Sequence, residues 1–451
     1  MTAQEAKYEK LTQAPVSRLI LGMAVPTILS MLVSNLYNLA DTFFVGHINT
    51  QSTAALGVVF PFMSLIQAIS FFFGHGSGNY ISRQLGARQP GNATTMAAAG
   101  LVTSMGLMTV MSVLLAIFPV PALKAMGSTS TILPYAIPYF RYILLGAPFI
   151  SGCFVLNNQM RLQGNASLAM VGILSGAVLN IILDPVFIFI LGMGVSGAGL
   201  ATCISQMASF GIMLAMSFRD GGVGIHLHSF RLDFNIMKEI AAGGLPSLCR
   251  QGLMALSTMC LNLCASRFGD SSVAAFSVVG RVMGFASAIL IGFGQGFQPM
   301  CGFNYGARLF DRVRKGFRFA TTVGTAYCFL IAIVGLAFAP GIIRLFRAGD
   351  AEVVSIGASA LRWQCATFPL VAFVILSNMY LQTSRQTGPA VLVALARQGL
   401  FLIPAVLVGT IAFGMPGLVV SQSVSDVCAL AMTVPLATHA LRKMGSGPEV
   451  S

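Results

Sequence analysis

The chain has 451 residues, 56% of them hydrophobic and only 9% charged, far from the mixture of a soluble globular domain. Its formal net charge is +13, but the basic residues sit in short polar segments between long apolar runs, which excludes a nucleic-acid surface as the source of that charge. Of the thirteen acidic residues only Asp41, Asp184 and Asp426 fall inside the apolar runs. A carboxylate at the centre of a membrane helix costs at least ~2.5–3.5 kcal/mol, so each is a candidate functional group.

Residues 1–16 (MTAQEAKYEKLTQAPV) are polar and have no apolar core before a small-residue cleavage site, so they read as a short cytosolic arm rather than a signal peptide. Twelve apolar spans follow, centred near residues 30, 63, 105, 146, 178, 206, 251, 285, 328, 368, 400 and 428, each long enough for the roughly 20 residues a bilayer requires. With both termini inside, the cytoplasmic segments hold Lys7, Lys10, Arg18, Arg83, Arg88, Arg161, Arg219, Arg231, Lys238, Arg308, Arg312, Arg314, Lys315, Arg318, Arg385, Arg442 and Lys443. The opposite loops hold Lys124, Arg267, Arg344 and Arg347. This bias of 17 to 4 sets the orientation by the positive-inside rule. The expected class is therefore an all-α integral membrane protein with both termini cytoplasmic.

A shift of 220 residues superposes one half of the chain on the other. Pro26 meets Pro246, Ala54-Ala55 meets Ala274-Ala275, Val58-Val59 meets Val278-Val279, Gly74 and Gly76 meet Gly294 and Gly296, and Gly86-Ala87-Arg88 meets Gly306-Ala307-Arg308. With small shifts, Asn157 faces Asn378, Gln163 faces Gln382, and Gly192-Met193 faces Gly414-Met415. One register kept across Pro, Gly and a Gly-Ala-Arg triplet marks an internal repeat. Six spans per half make it a parallel repeat, a symmetry found in transporters whose sites lie between repeats. The expected organisation is an arm (1–16), an N-lobe (17–218), a polar linker (219–237) with Asp220 and Gly221-Gly222, a C-lobe (238–441) and a tail (442–451).

Several motifs have plain readings. Nine cysteines are scattered singly, and no His or acid completes a metal set around Cys260 and Cys264, so they read as small buried apolar residues. Gly192-Met193-Gly194-Val195-Ser196-Gly197 matches G-x-G-x-x-G but joins two membrane helices instead of opening a βαβ unit, so it reads as a tight turn. The sequons at Asn92 and Asn165 fall in cytoplasmic loops.

The N-terminal acids have polar company. Asp41 ends the string Asn35, Tyr37, Asn38, Asp41 and lies ~34 Å of helix beyond Arg18, near the outer end of the first span. Asn180 and Asp184, four residues apart, share one face of the outer half of the fifth span. Thr202 and Gln206 occupy the outer part of the sixth span, and Tyr139 lies near the top of the fourth. Depth alone can bring these side chains together. Two carboxylates in one desolvated pocket cannot both hold full charge cheaply, and Asp, Asn and Thr oxygens suit a proton or a small hard cation. An interhelical hydrogen-bond network is the alternative, although one such contact would not require two acids. Pro26 and Pro185 interrupt their spans as hinges or as static kinks. In the second half Arg250, Arg281, Arg397 and Asp426 fall near mid-depth. Asp426 with Arg281 or Arg397 reads as a structural ion pair, and the remaining positive charge is a candidate acceptor for acidic substrate groups.

The chain resembles the multidrug and toxic compound extrusion (MATE) family over about residues 15–440, most closely the prokaryotic branch holding the DinF-like and MepA-like exporters. The residues that carry this are Asn38-Leu-Ala-Asp41-Thr-Phe-Phe-Val-Gly46, Ile81-Ser-Arg-Gln-Leu-Gly-Ala87, Leu179-Asn-Ile-Ile-Leu-Asp-Pro185 and Ala396-Arg-Gln398. The resemblance implies twelve helices in two six-helix lobes forming a V, in a prokaryotic cytoplasmic membrane. It further implies export of amphipathic, often cationic, organic compounds in exchange for protons or sodium ions. It places the coupling site on Asp41, Asn180, Asp184 and Thr202, a bending helix at Pro26, and cavity positions at Tyr37, Tyr139 and Asn157, to which Asn38 and Gln206 are natural additions. No cofactor beyond the coupling ion, no catalytic set and no obligate partner subunit is expected. Acids used by other branches in the seventh and tenth spans have no counterpart within those spans here. A flippase of lipid-linked precursors is an alternative within the same superfamily, but its members typically have fourteen helices. An intramembrane enzyme would want a catalytic set of Ser/His or paired Asp without ion-ligand neighbours.

Overall fold

Runs of straight-chain and small apolar residues, broken by Gly, Pro and polar turns, fold as long helices because lipid leaves the backbone no other way to satisfy its hydrogen bonds. The computed structural model describes residues 3–219, 222–346 and 350–444; Asp220, Gly221, Arg347, the side chain of Asn38 and most of the expected tail (445–451) lie outside the described residues. In chain order the helices are α1 (Ala3–Gln13), α2 (Val16–Gly46), α3 (Thr50–Gly86), α4 (Pro90–Ile117), α5 (Pro119–Ala125), α6 (Leu133–Leu162), α7 (Ala166–Pro185) and α8 (Val195–Ser217). They continue with α9 (Phe234–Ala265), α10 (Asp270–Gly306), α11 (Phe310–Phe346), α12 (Ala351–Thr383), α13 (Thr387–Leu395), α14 (Leu402–Phe413) and α15 (Met415–Lys443). A π turn, Val186–Ile190, prolongs α7, and another, Ala396–Leu400, links α13 to α14 within one span.

Eleven of these spans are long and apolar enough to cross a membrane among the described residues. The twelfth expected span is α9, long enough at 32 residues but diluted by Arg250, Gln251 and Asn262. The short α5 lies between spans.

The helices fall into two units. The first holds the chain up to Ala14 and Val25–Gly244; the second holds Pro15–Ala24 and the chain from Leu245 onward. These bounds depart from the expected lobes of 17–218 and 238–441. The boundaries pass through the interiors of α2 and α9, at positions exactly one repeat apart, each just before a proline (Pro26, Pro246). The expected polar arm is also different. It is the helix α1, with Leu11 and Thr12 buried, because Leu11 packs on Gly164 and the Arg88 guanidinium lies 4.5 Å over the Tyr8 ring.

Within the first unit α6 packs against α3, α4, α7 and α8; within the second, α12 packs against α10, α11, α13 and α15. Both central helices are repeat-related and mostly buried. Asn157 on α6 donates to the Ala169 carbonyl (3.2 Å), and Asn378 on α12 donates to the Ala390 carbonyl (2.7 Å), the same tie made twice. The Gly-Ala-Arg triplets also gain a physical reason. They end α3 and α10 in caps where Gln89 N–H reaches Gln84 C=O and Leu309 N–H reaches Asn304 C=O, with Arg88 (φ 57°) and Arg308 (φ 59°) left-handed. Gly192 and Gly194 take positive φ in the turn before α8, as the tight-turn reading of G-x-G-x-x-G requires.

Candidate functional site

Close helix approach builds the site in the first unit. A Cβ at Gly176 on α7 would lie 2.9 Å from the Cβ of Ser209 on α8, and one at Gly199 on α8 would lie 3.0 Å from the Tyr139 carbonyl on α6. Small residues at these contacts let the backbones meet, as is usual within membranes. Ser209 locks the α7–α8 contact by donating to the Gly172 carbonyl at 2.7 Å. This close packing buries the polar faces of α7 and α8: Asn180, Asp184, Thr202 and Ser205 are all buried.

The Asn180 amide donates to Asp184 Oδ1 at 3.3 Å. Beyond that bond the cluster is short of partners. Among the described residues, Asp41 Oδ1, Asn180 Oδ1, Asp184 Oδ2, Thr202 Oγ1 and Ser205 Oγ are buried atoms with no hydrogen bond. Asp41 on α2 lies close enough to Asp184 for their charges to interact, and both interact with Tyr37 and Tyr139. The expected residues Asp41, Asn180, Asp184, Thr202, Tyr37 and Tyr139 therefore gather in one unit. Ser205 joins them without having been singled out; it lies one turn after Thr202 on the same helix face, which is a readable signal. Directly after Asp184, Pro185 lacks an N–H and the π turn Val186–Ile190 begins, an irregularity frequent at functional sites.

The cavity candidates Asn157 and Gln206 and the hinge candidate Pro26 make contacts of their own. Asn157 spends its amide on the α6–α7 tie near the start of α7, three turns of that helix from Asn180, so it is not in the acid cluster. Gln206 is partly buried and its carbonyl accepts from the Cys153 thiol. Pro26 stands in a helix that continues through it, with Ser30 Oγ donating to the Pro26 carbonyl at 2.9 Å.

In the second unit the membrane acid is saturated instead. Arg397 Nε donates to Asp426 Oδ1 at 2.8 Å, Gln422 Nε2 donates to the same oxygen at 3.1 Å, and Thr367 Oγ1 donates to Oδ2 at 3.1 Å. The partner of Asp426 is thus Arg397, held in the π turn, and not Arg281. Ser257 and Ser425 bind the carbonyls of Gln398 and Arg397, meeting the backbone acceptors that the π turn frees. Among the described residues Arg250 donates to Asn378 Oδ1 alone, at 3.4 Å, and Arg281 is exposed with no ion pair. Among the described residues no group of His, Cys, Asp and Glu forms a transition-metal site.

Twelve long helices in two repeated halves, one of them holding a buried carboxylate cluster, define a membrane transport protein. The MatE family model matches residues 26–186 and 246–407, one stretch per half and starting one repeat apart, so the chain belongs to the MatE family. Similar curated proteins include multidrug export protein MepA of Staphylococcus haemolyticus strain JCSC1435, 26% identical over 94% of each chain. MepA of Staphylococcus saprophyticus is also 26% identical, covering 94% of this chain and 95% of that one. Among solved structures, a MATE in the straight conformation matches with TM-score 0.90 and 25% identity over 97% and 99% of the two chains. A MOP superfamily transporter of Pyrococcus furiosus, described by the reverse polarity of its binding pocket, matches with TM-score 0.87 and 26% identity over 96% and 98%.

Proposed function

We propose that this protein is a secondary-active exporter in a prokaryotic cytoplasmic membrane, acting as a monomer with both termini inside. It takes protons or sodium ions inward in exchange for amphipathic, mainly cationic, organic compounds outward. The observation that carries this reading is the set of five buried oxygens without partners around Asp41 and Asp184. Buried polar atoms are nearly always satisfied, so oxygens left bare in a family of transporters are poised to receive a proton or a small hard cation. A sodium ion would be held by oxygens of Asp41, Asn180, Asp184 and Thr202; a proton would neutralise one of the two acids. Either occupant removes the repulsion between the carboxylates, and it shifts the transport equilibrium only as far as the two end states differ in affinity for it. The export named for the MepA relatives supports the direction and the breadth of substrate.

Efflux of a cationic dye in inverted vesicles tests this, with a pH gradient and a sodium gradient imposed separately. The expected result is gradient-driven transport in the wild type and none in Asp41→Asn or Asp184→Asn; full transport in both variants would sink the coupling site. A second reading, export of acidic compounds, is favoured by Arg250 and Arg281, which pair with no acid among the described residues, and by the reversed pocket polarity of the Pyrococcus furiosus relative. It requires Arg281→Ala to lower transport of an anionic compound several-fold more than that of a cationic one. Equal transport of both leaves the cationic reading alone.

A further inference from the structure

The start of α11 and the end of α15 enclose a cleft of about 340 Å³, lined by Arg314, Phe317, Arg318, Leu441 and Arg442. Both helices pack on α12, so the cleft is the groove between them at the face that the positive-inside bias assigns to the cytoplasm. Its back wall is fixed. Arg314 donates through Nη2 to the Met444 carbonyl (2.7 Å), through Nε to the Leu441 carbonyl (3.4 Å) and through Nη1 to Asp311 (2.9 Å). It thereby satisfies carbonyls that the end of a helix leaves orphaned. Phe317 is buried beneath it. Arg318 and Arg442 flank the cleft differently: both are exposed, and neither guanidinium has a hydrogen bond or ion pair among the described residues.

The repeat provides an internal control. At the corresponding positions of the first half, Arg312, Arg314, Lys315 and Arg318 are replaced by Asn92, Thr94, Thr95 and Ala98. Orientation alone needs only positive charge somewhere in the loops, so it does not explain why the charge is concentrated at the start of this one helix, where two of the arginines line the groove. Further along, α11 exposes Phe329, Leu330 and Ile333, and α15 exposes Val434 and Val427, apolar surface of the kind acyl chains cover. Arginine forks match phosphate oxygens bidentately, and basic pockets between membrane helices on the cytoplasmic side receive anionic head groups.

We propose that this cleft is a binding site for a phosphate group, carried by the head of an anionic phospholipid of the inner leaflet and held between Arg318 and Arg442. The site is separate from the acid cluster and does not depend on the transported substrate. Native mass spectrometry of the full-length purified protein tests it, with dioleoylphosphatidylglycerol, dioleoylphosphatidylcholine and inorganic phosphate as probes. The double variant Arg318→Gln/Arg442→Gln should retain phosphatidylglycerol roughly 25-fold less than wild type, about fivefold per arginine. Arg318→Lys/Arg442→Lys should fall between, since it keeps the charge and loses the fork. Lys10→Gln/Arg219→Gln, with equal charge removed elsewhere on the same face, should match wild type. Equal retention by the two glutamine double variants, or equal binding of phosphatidylcholine and phosphatidylglycerol by wild type, would overturn the site. Displacement of the lipid by inorganic phosphate would keep the phosphate chemistry and overturn the lipid as its source.

Discussion

The two halves share a repeat yet treat their membrane carboxylates in opposite ways. Asp184 in the first half is buried with one amide donor and a bare oxygen, and its neighbour Asp41 has a bare oxygen as well. Asp426 in the second half is equally buried but accepts from Arg397, Gln422 and Thr367. A charge already neutralised by a fixed arginine has little to gain from an incoming cation, whereas one held among oxygens has much to gain. Duplication thus supplied two similar frames, and side-chain partners left one acid pair with bare oxygens and saturated the acid of the other.

The sharpest way to break this comparison is to neutralise each acid. Asp41→Asn and Asp184→Asn are expected to abolish export with normal membrane insertion. Asp426→Asn, which keeps one acceptor oxygen and offers the Thr367 hydroxyl a donor in place of the other, is expected to retain measurable export where the protein accumulates; vesicle efflux normalised to protein level reads both. If Asp426→Asn were as inactive as Asp41→Asn, the division of labour would fall.

Next in size is stability. Asp426→Ala leaves Arg397 without its counter-ion and should cost about 3–5 kcal/mol, seen as a large drop in the thermal midpoint in detergent. The double variant Arg397→Met/Asp426→Leu should recover most of that loss, because paired ions can be exchanged for apolar packing. Failure of the double variant to recover would show that the pair does more than neutralise itself. The smallest effect concerns what the halves share. Asn157→Ala removes one helix tie and should lower stability by about 0.6 kcal/mol, and Asn378→Ala should cost more, because it also takes the acceptor of Arg250. A much larger transport defect in Asn157→Ala, measured by the same efflux assay, would give that residue a part in transport beyond the tie.

Much of this was legible in the chain itself, for identifiable reasons. Lipid forces long helices, so the spans could be counted from apolar runs, and the i,i+4 spacing of Asn180 and Asp184 fixed their common face. Gly86-Ala87-Arg88 and its copy revealed the repeat because a left-handed cap constrains sequence tightly. Partner choice was not legible. Arg281 and Arg397 look alike in sequence, and only the π turn at Ala396–Leu400 decides which one reaches Asp426. Leu11 looked like part of a polar arm because one apolar contact, on Gly164, leaves no periodic pattern. Ser205 lies one turn from Thr202 on the same face, a spacing visible in the chain, but serine is common in membrane helices and its bare hydroxyl is evident only in the fold.

The unit boundaries inside α2 and α9 bear on how the protein is made. Residues 15–24 leave the ribosome well before Leu245, yet they belong with the chain beyond it. At the usual pace of translation, more than two hundred residues take on the order of tens of seconds. For that interval the opening segment of the first span waits in the bilayer without its final neighbours. Half-chains separated within 219–237 would each carry a helix end that belongs to the other half, so neither half is a self-contained product of synthesis.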